Sequence, residues 1–422
     1  MIKIGRILLL MLLTFEIAAA QQSQFVYENR IYINQIKTVQ CYNSNKEQSL
    51  PVIALNSAEQ LSFSFDDLAG GSKNYWYTVE HCTYDWKSSN LSTLNFLDGI
   101  TEDRIVDYEY SSNTLQKFTY YQLTFPNEQI KIKISGNYLL KVYLDADLTK
   151  PVISQRFFMV DNQFNVGVEV LPSSQVTLRQ TNQKINFSIF HTTPIQNPYN
   201  DIKAIVMQNG DPLTTMVNRK PNFIRPGALV YNDVNTNDFP GGYEFRKFDF
   251  RSLRYKAEHV QQIISDSTVN IILIPDVAMG NSRYANQFDE NGNFFIRNLD
   301  NRDPNTESDY ANVLFTLNAK PLSTDGSVYV VGRFNNYVLN EENKLTFDPA
   351  RNTFYKNIQL KQGLYDFKYV WKSNSNGSIN QTAFEGSYFE TGNTYQVFVY
   401  YRKPGGRWDE LTGYSNISTV KP

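Results

Sequence analysis

Alternation of side chains with a period of two recurs along this chain and limits the folds open to it. In residues 137–144, one face of a strand would carry an apolar set, Tyr138, Leu140, Val142 and Leu144. Residues 395–401 repeat the pattern with Tyr395, Val397, Val399 and Tyr401. Successive side chains of a β-strand point to opposite faces, so this period predicts strands. The best helical candidate, residues 253–264, has too few apolar residues for a convincing stripe.

Turn residues separate the strand-like runs. The clearest examples are Gly70-Gly71, Asn209-Gly210, Gly241-Gly242 and Asn291-Gly292. Short strands divided in this way are typical of β-sandwiches. The chain also holds 28 Tyr and 28 Phe, which suit half-buried pleated surfaces. We therefore predict an all-β protein with less than about a fifth of its residues in helices.

The chain length of 422 residues allows several domains. One boundary is expected near Asp161-Asn162, after an apolar run at 157–160. A second is expected in the polar stretch 301–308, which contains Pro304. These breaks predict three tandem immunoglobulin-like or early-set β-sandwiches, over residues 21–160, 161–305 and 306–422.

The N-terminus has the pattern of a secretory signal. Lys3 and Arg6 precede an apolar run at 7–13, and small residues follow up to Ala20. We expect residues 1–20 to be a signal peptide that is cut after Ala20. No later segment approaches the roughly 20 apolar residues of a transmembrane helix. An exported protein without a transmembrane segment is therefore expected.

The charge balance argues against nucleic acid as a partner. The chain has 40 basic and 42 acidic residues, and no Lys/Arg run interrupts this balance. Proteins that bind nucleic acid carry a basic patch or stripe. No such footprint is present.

Two cysteines, Cys41 and Cys82, are the only ones in the chain. An exported protein meets oxidising conditions, which favours a Cys41–Cys82 disulfide. Two buried free thiols are the open alternative, because sequence does not show whether the two Cα atoms lie close enough to be bridged.

Motifs for catalysis are missing from the sequence. His81, His191 and His259 are far apart in sequence, and neither His-Glu-x-x-His nor Cys-x-x-Cys occurs. A Gly-x-Ser-x-Gly elbow, a P-loop and a dinucleotide fingerprint are absent as well. Asp85, Asp107 and Glu385 form a conceivable glycosidase set, but solvated loops and strand edges are the favoured reading. We expect no enzyme activity, no metal and no cofactor.

Residues 328–337 and 363–371 suggest one kind of binding. A strand, a Gly-x-Phe-Asn turn and a later aromatic strand resemble the immunoglobulin-like modules found beside starch- and glycogen-acting enzymes. Those modules usually have a tryptophan where this chain has Tyr337. The resemblance gives the alternative function of a secreted carbohydrate-binding protein. Its candidate glycan contacts are Phe334, Asn336, Tyr337 and Trp371.

A longer set of motifs runs through the chain. It comprises His81-Cys82-Thr83-Tyr84-Asp85-Trp86, Phe125-Pro126-Asn127, Ser135-Gly136-Asn137-Tyr138, Phe239-Pro240-Gly241-Gly242, Phe250-Arg251-Ser252-Leu253-Arg254-Tyr255 and Tyr400-Tyr401-Arg402. In order and spacing, the first of these resemble the first domain of the plug proteins of the type 9 secretion system. That domain was long known as a domain of unknown function of Bacteroidetes-type bacteria. One departure is Tyr243, where asparagine is expected after the glycine pair.

The resemblance implies a function that composition does not reveal. Members of this family are non-enzymatic periplasmic partners of the giant outer-membrane β-barrel translocon of that system. The plug binds and seals the periplasmic opening of the barrel when no substrate occupies it. The resemblance therefore implies a protein in the periplasm, after signal cleavage near Ala20, that is peripheral to the outer membrane through its partner.

Overall fold

The computed structural model describes residues 24–280 and 282–420. Strands make up 46% of the chain and helices 4%, so both the predicted all-β class and the predicted low helix content are confirmed. In the described residues, no helix has the length and apolar character needed to cross a membrane. The expected signal peptide, residues 1–20, lies outside the described residues.

The first twelve strands form one sandwich, with a short helix α1 (Thr93–Phe96). The strands are β1 (Arg30–Ile31), β2 (Ile36–Asn43), β3 (Val52–Ala54), β4 (Leu61–Asp67), β5 (Tyr75–Cys82), β6 (Leu97–Gly99), β7 (Glu102–Arg104), β8 (Asp107–Tyr110), β9 (Thr119–Phe125), β10 (Ile130–Ile132), β11 (Gly136–Leu144) and β12 (Pro151–Val160). β6 and β10 pair with each other as a small separate sheet. Of the two larger sheets, one has the order β1-β12-β11-β5-β7 with β3 on β12, and the other has the order β2-β4-β9-β8. Between them, Phe65 stacks on Tyr121 and Tyr75 meets Tyr121 edge-on, with ring centroids 5.2 and 4.8 Å apart.

Seven strands and a short helix α2 (Pro198–Asp201) come next. The strands are β13 (Asn165–Pro172), β14 (Asn182–Phe190), β15 (Ile202–Gln208), β16 (Met216–Asn218), β17 (Phe223–Arg225), β18 (Ala228–Tyr231) and β19 (Asp238–Pro240). Two 3₁₀ turns lie among them, Val176–Leu178 and Pro212–Thr214. The sheet β13-β14-β18-β17, with β19 on β14, forms one layer of a second sandwich.

A third sandwich follows, and it includes the 3₁₀ turn Arg333–Asn335. Its strands are β20 (Arg246–Asp249), β21 (Val260–Ser265), β22 (Val269–Leu273), β23 (Asp276–Val277), β24 (Phe294–Ile296), β25 (Tyr310–Asn318), β26 (Ser327–Val331), β27 (Thr346–Asp348), β28 (Thr353–Lys361), β29 (Gly363–Lys372) and β30 (Ile379–Asn380). One sheet is built on β29, which pairs with β20, β24, β26 and β30. The other has the order β21-β22-β25-β28-β27, with β23 on β25.

The last two strands, β31 (Thr394–Tyr401) and β32 (Glu410–Ser418), return to the second sandwich. β31 pairs with β15 along its length, and the second layer of that sandwich has the order β16-β15-β31-β32. The third core correspondingly draws on residues from Phe248 to Phe384. Sheets and cores therefore do not follow the expected division at residue 305, because β31 has its hydrogen-bonding partner in β15 and its core residues beside those of β14.

The three sandwiches are named here by their chain segments. The first unit is residues 24–160, the split unit is 161–240 with 391–420, and the inserted unit is 241–390. The split unit contacts both others. Its Phe398 stacks on Phe158 of the first unit, with ring centroids 4.4 Å apart. Its Asp211 forms an ion pair with Lys368 of the inserted unit, with Nζ and Oδ2 3.0 Å apart.

The first and inserted units also meet directly, through a buried ion pair. Lys361 Nζ lies 2.7 Å from Asp66 Oδ2, and each side chain is 1% exposed. Tyr310 donates from its hydroxyl to the same oxygen at 2.6 Å. Each unit thus contacts the other two, and the three close around a common junction.

Candidate functional site

A cavity of about 300 Å³ lies where the three units meet. Its walls include Trp86 and Phe158 of the first unit, Ile205 and Phe398 of the split unit, and Phe294 and Arg333 of the inserted unit. No single unit encloses it, so its shape depends on the contacts between units. Clefts at domain interfaces are a frequent location for ligand sites.

Arg333 brings a positive charge to this cavity from the 3₁₀ turn after β26. Its Nη2 donates to the carbonyl oxygen of Ser49 at 2.9 Å. No carboxylate of the described residues forms an ion pair with it. Burial lowers the pKa of Arg333, because the charged form loses solvation there. Gly210 leaves room for the guanidinium, since a Cβ at that position would lie 3.1 Å from Arg333 Nη1.

Arg156, on β12, is a second guanidinium at the cavity wall. Its Cζ lies 4.4 Å from the ring centroid of Trp86, and its Nε donates to the carbonyl oxygen of Tyr27 at 2.8 Å. Within the described part of the chain, no carboxylate pairs with it either. Burial lowers the pKa of Arg156 to about 10.

Asn29 links the two sides of the cavity. Its Oδ1 accepts from the backbone N–H of Arg156 at 2.7 Å, and its Nδ2 donates to Asn336 Oδ1 at 3.1 Å. This amide therefore ties β12 of the first unit to the turn that carries Arg333. Gln48, also in the wall, keeps a buried Nε2 for which the described residues offer no hydrogen-bond partner.

Cys41 lines the same cavity, and its thiol is free. Cys82 is also a buried free thiol, so the structure does not contain the expected Cys41–Cys82 disulfide. The two residues lie in different sheets, Cys41 on β2 and Cys82 at the end of β5. Burial raises the pKa of each thiol to about 12, so neither is a reactive thiolate near neutral pH.

Comparison with known proteins bears on the first unit most directly. Residues 36–161 match the family model described as "Type 9 secretion system plug protein 1st domain". Residues 36–161 of the chain belong to the type 9 secretion system plug protein family. The resemblance drawn from the sequence is thereby confirmed.

The likeness to a solved structure extends beyond that plug domain. A crystal structure of a hypothetical protein from Parabacteroides merdae is 32% identical, with a TM-score of 0.90. The alignment covers 94% of this chain and 100% of that one. A Salmonella alpha-2-macroglobulin aligns over 91% of this chain and 23% of its own, at 8% identity and a TM-score of 0.16, which supports no argument. No curated protein matches the chain.

The candidate glycan contacts of this plug-family chain do not form a sugar-binding face. Tyr337 is 1% exposed and packs in a small core with Phe245 and Tyr329. Stacking on a sugar needs an open ring face, which a buried tyrosine lacks. Asn336 lies in the cavity wall, where its Oδ1 accepts a hydrogen bond from Asn29 Nδ2.

The other two glycan candidates pack elsewhere. Phe334 meets Tyr365 edge-on, with ring centroids 5.7 Å apart. Trp371 packs against the core of the inserted unit and over Gly326, where an added Cβ would lie 2.1 Å from its Nε1. These aromatic residues therefore serve the fold, and the carbohydrate alternative gains no support from them.

The conceivable glycosidase carboxylates are also separate. Glu385 is paired with Arg246 inside the inserted unit, and Asp85 is paired with Lys87 in a turn of the first unit. Asp107 is exposed on the edge strand β8. Across residues 24–280 and 282–420, no three His, Cys, Asp or Glu side chains gather where they would hold a metal ion.

Sequence reasoning overlooked the cavity's two arginines. Arg333 lies between the apolar strand at 328–331 and Phe334. A cation between apolar residues is the only local pattern in the sequence that could have indicated this site. Arg156 similarly interrupts the apolar end of β12.

Proposed function

We propose that this protein is the periplasmic plug of the type 9 secretion translocon. It binds and seals the periplasmic opening of the giant outer-membrane β-barrel and performs no bond chemistry. The observation that carries the proposal is the match of residues 36–161 to the first domain of the plug protein family.

The closed arrangement of the three units suits a sealing body. A body that blocks a wide pore has to resist deformation, and each unit is held by contacts to both others. The Asp66–Lys361 pair is the most deeply buried of these links. A plug must also leave when a substrate enters, so its contact with the barrel should be separable, as transient interfaces are.

The proposed location follows from the family and from the N-terminal pattern. Residues 1–20 direct export, and cleavage near Ala20 releases the chain into the periplasm. The protein then reaches the outer membrane through its partner.

Purification of the tagged translocon from native outer membranes tests the proposal. The plug is expected to elute with the barrel from cells in which the translocon is idle. Failure to co-purify under those conditions, with both proteins present in the cell, would contradict it.

A scan of charged substitutions would then locate the contact surface. We choose one of the exposed apolar residues in each unit: Tyr110 at 57%, Phe223 at 55% and Phe288 at 72% exposure. Aspartate at a contact position should reduce co-purification about tenfold or more, because an interface loses affinity when a charge is buried unpaired. Ser267→Asp adds the same charge in an exposed turn and serves as the matched control.

A further inference from the structure

The junction cavity has more cationic groups than its walls satisfy. Arg333 makes one hydrogen bond, to the carbonyl of Ser49, although a guanidinium carries five N–H donors. Arg156 donates from both Nε and Nη2 to the same acceptor, the carbonyl oxygen of Tyr27. The one carboxylate in the wall, Asp85, is at the rim and is paired with Lys87, with Oδ2 and Nζ 2.7 Å apart.

Buried charges in proteins are normally paired or hydrogen-bonded, because an unpaired one loses its solvation without compensation. Arg333 and Arg156 are partly buried at this cavity and neither forms an ion pair among the described residues, so each can take an anion as a partner. Gln48 adds a buried Nε2 that has no partner among the described residues. All three groups are donors, so the missing partner is an acceptor.

Part of the wall is apolar. Phe158 and Phe398 stack on each other across the boundary of two units, with ring centroids 4.4 Å apart. Ile205 and Met207 belong to the same apolar cluster as these rings. A ligand that fits this wall needs an apolar body as well as a charged head.

We propose that the junction cavity binds a small amphipathic organic anion. Its carboxylate, sulfonate or phosphate head binds Arg333, and its apolar body lies against Phe158 and Phe398. The volume of about 300 Å³ is at the lower end of the range for small-molecule sites. Because all three units supply walls, the ligand stabilises their closed arrangement. The site is distinct from translocon binding, so the two proposals fail separately.

Two fluorescent probes separate charge recognition from apolar binding. Anilinonaphthalene sulfonate is an aromatic body with a sulfonate, and N-phenyl-1-naphthylamine is the same ring system without it. Each is titrated into the exported protein, with energy transfer from its tryptophans, of which Trp86 is in the cavity wall, as the signal. We expect one saturable site and at least about tenfold tighter binding of the anionic probe, since hydrogen bonds to a charged group are strong.

Variants assign the binding to the cavity. Arg333→Gln should weaken the anionic probe about tenfold or more and leave the neutral probe within about threefold. Arg351→Gln removes a guanidinium that is 83% exposed and should change neither affinity. Thr215→Trp places a large ring in the cavity wall and should abolish binding of both probes. Thermal unfolding establishes that each variant is folded.

Three results would overturn the proposal: no saturable binding, equal affinity for the two probes, or an Arg333→Gln variant that binds the anion as the parent does. If Arg333→Gln does not fold, Thr215→Trp decides, because unchanged binding in that variant places the probe outside the cavity.

Discussion

Two arginines of the inserted unit, Arg246 and Arg333, have opposite surroundings. Arg246 Nη1 lies 2.8 Å from Asp276 Oδ1, and its Nη2 lies 2.7 Å from Glu385 Oε2. Burial alone would lower the pKa of Arg246, but these two carboxylates reverse that effect and raise it. Burial lowers the pKa of Arg333, with no carboxylate of the described residues to oppose it. The charge of Arg246 is compensated inside the inserted unit, whereas the charge of Arg333 is the one that we propose binds an anion.

The largest difference between them should be in stability. Arg246→Met leaves two buried carboxylates without their cation and should lower the free energy of unfolding by about 3–5 kcal/mol. Arg333→Met removes a partly buried cation that forms no ion pair with another described residue, and it should change the free energy of unfolding by less than about 1 kcal/mol. Urea unfolding measures both. A loss for Arg333→Met as large as that for Arg246→Met would break the comparison.

The ion pair between units extends the comparison to the junction. Asp66→Asn leaves Lys361 buried without its carboxylate and should cost about 3 kcal/mol. Because the pair joins the first and inserted units, unfolding of the variant should also separate into two calorimetric transitions. The double variant Asp66→Asn with Lys361→Met is the control, and it should recover part of the lost stability. A single unchanged transition for Asp66→Asn would show that the pair does not couple the units.

Asp289 and Asp366 are two buried carboxyl groups that form no ion pair within the described part of the chain, so they are the acidic counterpart of Arg333. Burial raises the pKa of Asp289 to about 7, and burial with the nearby Asp289 charge raises that of Asp366 to about 8. The folded state therefore binds more protons than the unfolded state between about pH 4 and 8, and stability falls as pH rises through this window.

The expected loss is several kcal/mol between pH 5 and 9, about 1.4 kcal/mol per pH unit for each carboxyl that stays protonated only in the folded state, and urea unfolding at each pH measures it. Asp366→Asn should flatten this dependence, because an amide does not titrate in this pH range. The variant should still fold, since the amide oxygen can accept from the backbone N–H groups of Glu290 and Gly292. An equally steep fall in the variant would assign the pH dependence to other groups.

The smallest effect concerns the thiols. Reducing agent should shift the melting temperature by less than about 1 °C, because no disulfide constrains the unfolded chain. Alkylation of the unreduced protein should label two cysteines after denaturation and essentially none before it. Absence of label on the denatured, unreduced protein would show that Cys41 and Cys82 are bonded.

Local sequence patterns were enough to locate strands but not to pair them. Alternation at 137–144 and 395–401 corresponds closely to β11 and β31. The partner of β31 is β15, far away in the chain, and a period of two carries no information on which strand lies alongside. For the same reason, the sequence does not show which part of the molecule packs on each face of a strand. Val397 lies in the core of the split unit, whereas Phe398 packs against the first unit.

The site was predictable only in part, for a related reason. Asn336 and Tyr337 were selected from the turn motif, and both line the cavity, but inside the molecule instead of on a sugar-binding face. Arg246 and Arg333 look alike in the sequence. Whether a carboxylate comes to lie beside an arginine depends on long-range packing, which single-sequence patterns do not record.

Entry of a large hydrophilic solute into the periplasm tests the sealing function most directly. The measurement compares a strain that lacks this protein with its parent, with the translocon present and idle, and with a strain that lacks both. The plug account predicts faster entry in the first strain, a return to the parental rate when the gene is restored, and no increase when the barrel is also absent. Unchanged entry after loss of the plug alone would contradict the account.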